Sequence, residues 1–233
     1  IRYAIKQEID FIAHSFVRSK QDVLDIQAIL DEYKSPIKII AKIENQEGVD
    51  NIDEILEAAY GVMVARGDLG IEVPQEKIPG IQARLIKKCI QAKKPVIVAT
   101  QMLHSMIKNP RPTRAEITDV ANAVYDGTSA IMLSGETAAG KYPVQAVETM
   151  AAIAAETEQH IHYETRFRNT KFQIRNLLDA ISHATCTTAY DLGAKAILTV
   201  TWSGTTARML SKFRPDIPII ACTHKPSTYQ QLN

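Results

Sequence analysis

Residues 37–45 read IKIIAKIEN, and residues 61–70 read GVMVARGDLG. Each opens on a short run of β-branched and other apolar residues, long enough for one strand and short for a core helix. Between them Ile52, Ile55, Leu56 and Ala59 recur at helical spacing on one face. Strand, helix, strand is the unit of a parallel sheet, because parallel neighbours need a crossover connection. The alternation extends in both directions. Upstream, the strand-like run Phe11–Val17 is followed by Val23, Ile26, Leu30 and Tyr33 on one helical face. Downstream, Ile81, Leu85 and Cys89 lead to the run Pro95–Thr100, and Ile117, Val120, Ala121 and Val124 lead to Ala130–Leu133. Such units predict an α/β fold with a parallel sheet, open or closed into a barrel; periodicity does not choose between the two.

Helix-end chemistry agrees with this reading. Ser19 with Asp22, and Thr113 with Glu116, have the spacing of a capping box. Pro143 stands where a first helical turn begins, and Gly127 and Gly193 stand where helices stop. From His160 to Arg175 the chain turns basic, with Arg166, Arg168, Lys171 and Arg175 against the single acid Glu164. A second αβαβ stretch follows: a helix over residues 174–192, a strand at Ala196–Thr201, a helix near Ala207–Phe213 and a strand at Ile217–Cys222. The expected division is therefore residues 1–168 and 169–233.

Composition narrows the classes. With 233 residues, 45% of them hydrophobic and 23% charged, the chain has the make-up of a globular protein and not of a disordered or fibrous one. The net charge of +1 argues against a phosphate-dominated nucleic-acid binder. No apolar run reaches the ~18 residues of a membrane span. Three widely spaced cysteines, Cys89, Cys186 and Cys222, suit neither a disulfide framework nor a zinc site and suggest a reducing, cytoplasmic setting. The first residue is Ile1 and not Met, and the last follows closely on a strand-like run. The chain therefore reads as a piece of something longer.

The chemistry gathers at strand ends. Lys42 and Glu44 are two apart, so a strand points both to one face and Ala41 and Ile43 to the other. A lysine and a glutamate sharing a face are costly in a core and useful in a site. In the next unit Gly67 and Gly70 bracket Asp68. Asp68 at that strand's carboxyl end would lie near Glu44, and two such carboxylates seat a hard divalent cation. The following strands end in Thr100-Gln101 and in Ser134-Gly135-Glu136. In α/β folds ligands bind at the carboxyl ends of strands, so these polar groups converge on the expected rim. Farther on, Thr201-Trp202-Ser203-Gly204-Thr205-Thr206 joins a strand to a helix and presents hydroxyls and amides suited to a phosphate.

IAKIEN (40–45), MVARGDLGIE (63–72), ATQML (99–103), NPRPTRAE (109–116), DVANAVYDGT (119–128) and IMLSGETAAGKYP (131–143) together resemble the pyruvate kinases, of the bacterial type. The resemblance spans essentially the whole chain, with the motifs in family order. It implies a (β/α)8 barrel of which strands four to eight are present, followed by the first half of an α/β regulatory domain. The implied reaction is phosphoryl transfer from phosphoenolpyruvate to ADP, giving pyruvate and ATP. By resemblance, Glu44 and Asp68 are ligands of Mg²⁺ or Mn²⁺. Lys42 offsets charge on the transferring phosphoryl group and the enolate. Ala65, Arg66 and Gly67 supply the backbone that, with Asp68, meets the substrate. Thr100 lies near the substrate's methylene carbon with a part in proton delivery. Ser134 and Glu136 are on the nucleotide side, and Thr201, Ser203, Gly204, Thr205 and Thr206 resemble the phosphate part of a sugar-phosphate effector site. The family's K⁺ ligands and its lid lie upstream of these residues, and the family assembles as a homotetramer. His104 stands where the family often has an acid, a peripheral substitution. Two other readings stay open. One is a metal-dependent barrel aldolase acting on pyruvate enolates, against which Lys42 and the downstream phosphate loop argue. The other is that the chain by itself is inactive, a fragment or interaction module with open sheet edges.

Overall fold

The computed structural model describes residues 1–172 and 174–232. It divides into two compact units, Ile1–Ile161 and His162–Asn233. The first unit runs α1 (Arg2–Lys6), β1 (Phe11–His14), α2 (Lys20–Glu32), β2 (Lys38–Ile43), α3 (Gln46–Asp50), α4 (Ile52–Ala58), β3 (Gly61–Ala65), α5 (Arg66–Glu72), α6 (Ile78–Ala92), β4 (Val96–Ala99), α7 (Arg114–Asp126), β5 (Ala130–Met132), α8 (Gly135–Ala138) and α9 (Pro143–Gln159).

The strands form one five-stranded sheet in the order β1-β2-β3-β4-β5, every pair parallel. Alternation along each strand sends two sets of side chains to opposite faces. Ala41, Ile43, Val62, Val64, Val96 and Val98 join Leu30, Ile55, Leu85 and Val120 from the helices in the main core. Ile40, Met63 and Ala99 form a separate cluster with Ile97 and Met132 on the other face, built from strand and strand-edge residues. A doubly wound sheet reverses its strand order and carries helices on both faces. A sheet in strict chain order with helices packed on one face is a barrel wall, which resolves the alternative left open by periodicity.

The helix ends are made as the sequence anticipates. Both capping boxes close reciprocally, Ser19 with Asp22 and Thr113 with Glu116. Gly127 caps α7 at φ +87°, a left-handed conformation that a side chain disfavours. One strand is shorter than its apolar run. β1 stops at His14, because Phe16 turns to φ +53° and gives its N–H to Glu44 Oε2 at 2.7 Å. Val17 is nevertheless fully buried, so its hydrophobicity reflects core packing and not strand pairing.

Glu116 does more than cap α7. Its Oε1 accepts the Ser105 N–H at 2.7 Å, and its Oε2 accepts from Ser105 Oγ at 2.6 Å and from the Thr113 N–H at 2.7 Å. Burial pushes this carboxyl up, but the hydrogen bonds from Ser105 and Thr113 outweigh burial and hold it below the ordinary value of 4.5. The folded state thus keeps Glu116 ionised to lower pH than the unfolded chain does. Its contribution is complete above pH 4.5 and is lost as pH falls through the depressed folded value. Glu116→Gln should lose about 1 kcal/mol at neutral pH, the worth of a cap, and show a shallower acid limb. Urea unfolding of both proteins from about pH 7 down to about pH 3 checks this; parallel losses on acidification would refute it.

The second unit runs α10 (Tyr163–Asn169), α11 (Leu177–Asp191), β6 (Ile197–Val200), α12 (Thr205–Ser211), β7 (Ile219–Cys222) and α13 (Pro226–Leu232). β6 and β7 pair in parallel. Its core holds Phe167, Cys186, Ala189, Ile197, Leu210 and Phe213. The basic stretch from His160 to Arg175 is thus in part the helix α10, which carries Arg166 and Arg168. Phe167 anchors α10 against Phe172, His183, Tyr190 and Phe213, with ring centroids 5.1–6.3 Å apart. This places the change of unit at Ile161–His162, ahead of the residue 168 suggested by composition.

All three cysteines are free thiols. Burial pushes Cys89 up to about 12 and Cys186 up to about 11, so both are inert. Among the described residues no helix is long and apolar enough to cross a membrane.

Candidate active site

The carboxyl ends of β2 and β3 bring together the acid–lysine set. Lys42 sits on the sheet face opposite the fully buried Ala41 and Ile43. Its Nζ lies 2.7 Å from Glu44 Oε1 and 3.1 Å from Ser15 Oγ. Glu44, just past the end of β2, is 1% exposed. Burial pushes its carboxyl up, but hydrogen bonds from Lys42 and the Phe16 N–H, the Lys42 charge and a hydrogen bond with Asp68 outweigh this and hold it low. Asp68 is in the first turn of α5, where its carboxyl interacts with that of Glu44. Burial and the neighbouring Glu44 push it up, against the opposing Lys42 charge. Two carboxylates that interact, one of them buried, repel when both are ionised unless positive charge offsets them. The pair therefore fits a divalent cation completed by water and substrate oxygens. Among the described residues no group of three or more His, Cys, Asp or Glu is arranged to hold a metal unaided.

The ends of β3 and β4 are tied to each other. Gly67 donates its N–H to Thr100 Oγ1 at 2.7 Å, and Thr100 Oγ1 donates to Ala99 O at 2.6 Å. A Cβ on Gly67 would lie 3.3 Å from Thr100 Oγ1, so glycine permits this close approach. Ala65 is buried at the end of β3. The Arg66 side chain, 8% exposed, runs into the protein and not onto the rim. It binds Thr100 O and both carboxylate oxygens of Asp119. Arg66, Gly67, Gln101 and Asp119 line a cleft of ≈ 500 Å³ with Gly70 and Ile71.

Sequence reasoning did not see the Arg66–Asp119 pair. The two are 53 residues apart, on different elements, and only the fold joins them. It also placed Glu136 on the rim by position alone. The structure buries that carboxylate at 1% exposure, where it accepts the Leu103 N–H at 3.0 Å and the Ser134 N–H at 2.8 Å. Glu136 thus shapes the loop that presents the half-buried Ser134.

In the second unit the loop after β6 turns at Gly204, with φ +78°. Ser203 Oγ and Thr205 Oγ1 are 2.8 Å apart, and Arg208 Nη2 donates to Ser203 O at 2.7 Å. Thr201 is buried, and Thr206 is half-buried in the first turn of α12. Trp202, 64% exposed, meets the His224 ring edge-on at 4.4 Å.

Fold and rim define a segment of parallel (β/α) barrel with a lysine and two carboxylates at the carboxyl ends of adjacent strands. Residues 1–147 match the family "Pyruvate kinase, barrel domain", and residues 179–233 match "Pyruvate kinase, alpha/beta domain". The chain is 56% identical over 234 residues to a pyruvate kinase of Geobacillus stearothermophilus, covering all of this chain and 40% of that protein. It is 53% identical over 232 residues to one of Clostridium acetobutylicum, covering 99% of this chain and 49% of that protein. A crystal structure of a pyruvate kinase from Cryptosporidium parvum superposes with a TM-score of 0.96 at 48% identity, covering this whole chain and 49% of that one. The chain belongs to the pyruvate kinase family, and it spans about 40–50% of the length of these relatives.

Proposed function

We propose that these residues form the phosphoenolpyruvate side of a cytoplasmic pyruvate kinase, which transfers a phosphoryl group to ADP and releases pyruvate and ATP. The observation that carries this reading is the Lys42–Glu44–Asp68 cluster at adjacent strand ends. Phosphoryl transfer needs little covalent help from protein; it needs positioned positive charge where negative charge develops. Glu44 and Asp68 would hold Mg²⁺ or Mn²⁺, which neutralises phosphate and enolate oxygens when bound. Lys42, fixed by Glu44 and Ser15, supplies a second positive charge to the same oxygens. Family membership supports this division of labour.

The backbone of Ala65, Arg66 and Gly67 receives the substrate carboxylate beside Asp68. Thr100, hydrogen-bonded to the Gly67 amide, stands where a proton reaches the methylene carbon of enolpyruvate. Ser134, with its loop held by Glu136, faces the nucleotide. K⁺ and the remaining nucleotide contacts come from residues outside these 233, in what we take to be a homotetramer. The loop Thr201–Thr206 offers the Ser203 and Thr205 hydroxyls and the turn at Gly204 to the phosphate of a sugar-phosphate effector. Neither a barrel aldolase nor a purely structural module finds a comparable observation in its favour.

The test is an assay of the protein carrying these residues with phosphoenolpyruvate, ADP, Mg²⁺ and K⁺, coupling pyruvate to lactate formation. Turnover on this pair, with none when an aldol acceptor replaces ADP, is the expected result. Absence of phosphoryl transfer under all metal conditions would overturn the reading.

A further inference from the structure

Thr100 and Gln101 follow β4 with φ +69° and +56°. Two successive non-glycine residues in the left-handed region are uncommon, and a β-branched one there is an outlier that its surroundings must enforce. The enforcing group is visible. The Arg66 guanidinium grips the Thr100 carbonyl with Nη2 at 2.8 Å and Nε at 3.3 Å. Its third nitrogen meets both oxygens of Asp119 at 2.7 Å and Gln82 Oε1 at 3.4 Å. A guanidinium is rigid and planar, so holding Nη1 on Asp119 fixes the Nε–Nη2 edge on the Thr100 carbonyl. Arg66 is 8% exposed and Asp119 36%, so the aspartate is the anionic partner that makes a nearly buried cation tolerable.

The grip has a chemical consequence. The Thr100 hydroxyl and carbonyl belong to one residue, and rotation of its backbone moves both. With the carbonyl held, Oγ1 rests 2.7 Å from the Gly67 nitrogen, beside Asp68. Were the turn to relax to extended backbone, the hydroxyl would leave that amide. We infer that Asp119, acting through Arg66, is a positioning residue for Thr100, stapling the left-handed turn that aims its hydroxyl at the substrate. Two successive strand–helix units meet in this staple: Arg66 opens α5 after β3, while Thr100 follows β4 and Asp119 lies in α7, the helix of that same unit. The inference rests on the phosphoenolpyruvate reading above for its catalytic meaning, and on geometry alone for the staple.

The experiment has two independent readouts on the active protein. The first is hydrogen–deuterium exchange of the peptide carrying Gly67, by mass spectrometry. Asp119→Asn and Arg66→Lys should both lose protection there while keeping the parent's melting temperature within a few degrees. Unchanged protection in both variants overturns the staple whatever the protein catalyses. The second is the rate at which the methyl hydrogens of pyruvate exchange with D₂O, which reads the proton step alone. Asp119→Asn should slow this by roughly ten- to a hundredfold, the scale of misplacing a reacting group by about 1 Å. The Mn²⁺ affinity should stay within about threefold, since Asp119 bonds the Arg66 guanidinium and neither Glu44 nor Asp68. On a Thr100→Val background, Asp119→Asn should add nothing further, because residues acting through one group are not additive. A full additional loss on that background, or parallel losses in methyl exchange and metal affinity, would overturn the assignment. If the parent shows neither exchange nor phosphoryl transfer, it is the functional reading that fails, and the peptide measurement still decides the staple. Arg66→Lys guards against misfolding of any one variant, since it keeps the buried charge and removes only the fork.

Discussion

Lys42→Met is expected to lower turnover by about 10³-fold or more while leaving KM for phosphoenolpyruvate and the affinity for Mn²⁺ largely intact, on the scale of lost electrostatic stabilisers. Methionine keeps the length of the side chain and removes its charge. In the ground state the ammonium is matched to Glu44 Oε1 at 2.7 Å, so binding alone gains little from it. Its value rises as charge moves onto the bridging oxygen and the enolate, within reach of a cation already fixed in place. An interaction made mainly in the transition state shows in kcat and not in KM. The side chain is 23% exposed, so water screens it only in part. Steady-state kinetics at saturating metal decides the matter. Near-normal kcat would reduce Lys42 to a structural partner of Glu44.

Glu44→Gln and Asp68→Asn are each expected to weaken Mn²⁺ binding by at least about a hundredfold, since loss of even an outer partner of a metal ligand costs ~10–100-fold. The substitutions are nearly isosteric and retain an acceptor oxygen. For Glu44 that matters, because Oε2 also accepts the Phe16 N–H and so holds the turn after β1. The amide's oxygen can keep that bond, so the melting temperature should move little while the affinity collapses. Mn²⁺ titration followed by electron paramagnetic resonance measures free ion directly. Parent-like affinity in both variants would remove the pair from the metal site, and a parallel loss of folding in Glu44→Gln would assign it to the turn instead.

The legible parts of this molecule are those governed by short-range rules. Alternation placed Lys42 and Glu44 on one face, and the structure joins them at 2.7 Å. Capping-box spacing located the starts of α2 and α7, and glycine located the stop of α7. The unit order placed Asp68 beside Glu44, although it sits in the first turn of α5 and not on the strand itself. Barrel as against open sheet was not legible, because chain order in the sheet depends on which strands find each other and not on any strand's own pattern. The Arg66–Asp119 staple was invisible for the same reason. Glu136 misled in the opposite sense: its position after β5 suggested the rim, while two backbone amides turn it inward. Charge did not mark the start of the second unit: Phe167, an aromatic among basic neighbours, packs α10 against Tyr190 and Phe213.

The strict chain order of the five strands also bears on how the sheet assembles in time. Paired positions such as Phe11 with Lys38, Ile40 with Gly61, Val62 with Val96 and Ile97 with Ala130 are separated by similar lengths of chain. Loop-closure entropy grows only with the logarithm of that length, and a doubling costs about 0.6 kcal/mol. No pairing is therefore much easier to nucleate than another on entropic grounds. Burial differs among the strands of these residues. Every residue of β3 is buried, whereas β1 alternates exposed with half-buried positions and no residue of β5 is buried. Within these residues β3 is the strand most fully covered, so Val62→Ala and Val64→Ala are expected to slow refolding, as stopped-flow kinetics would show.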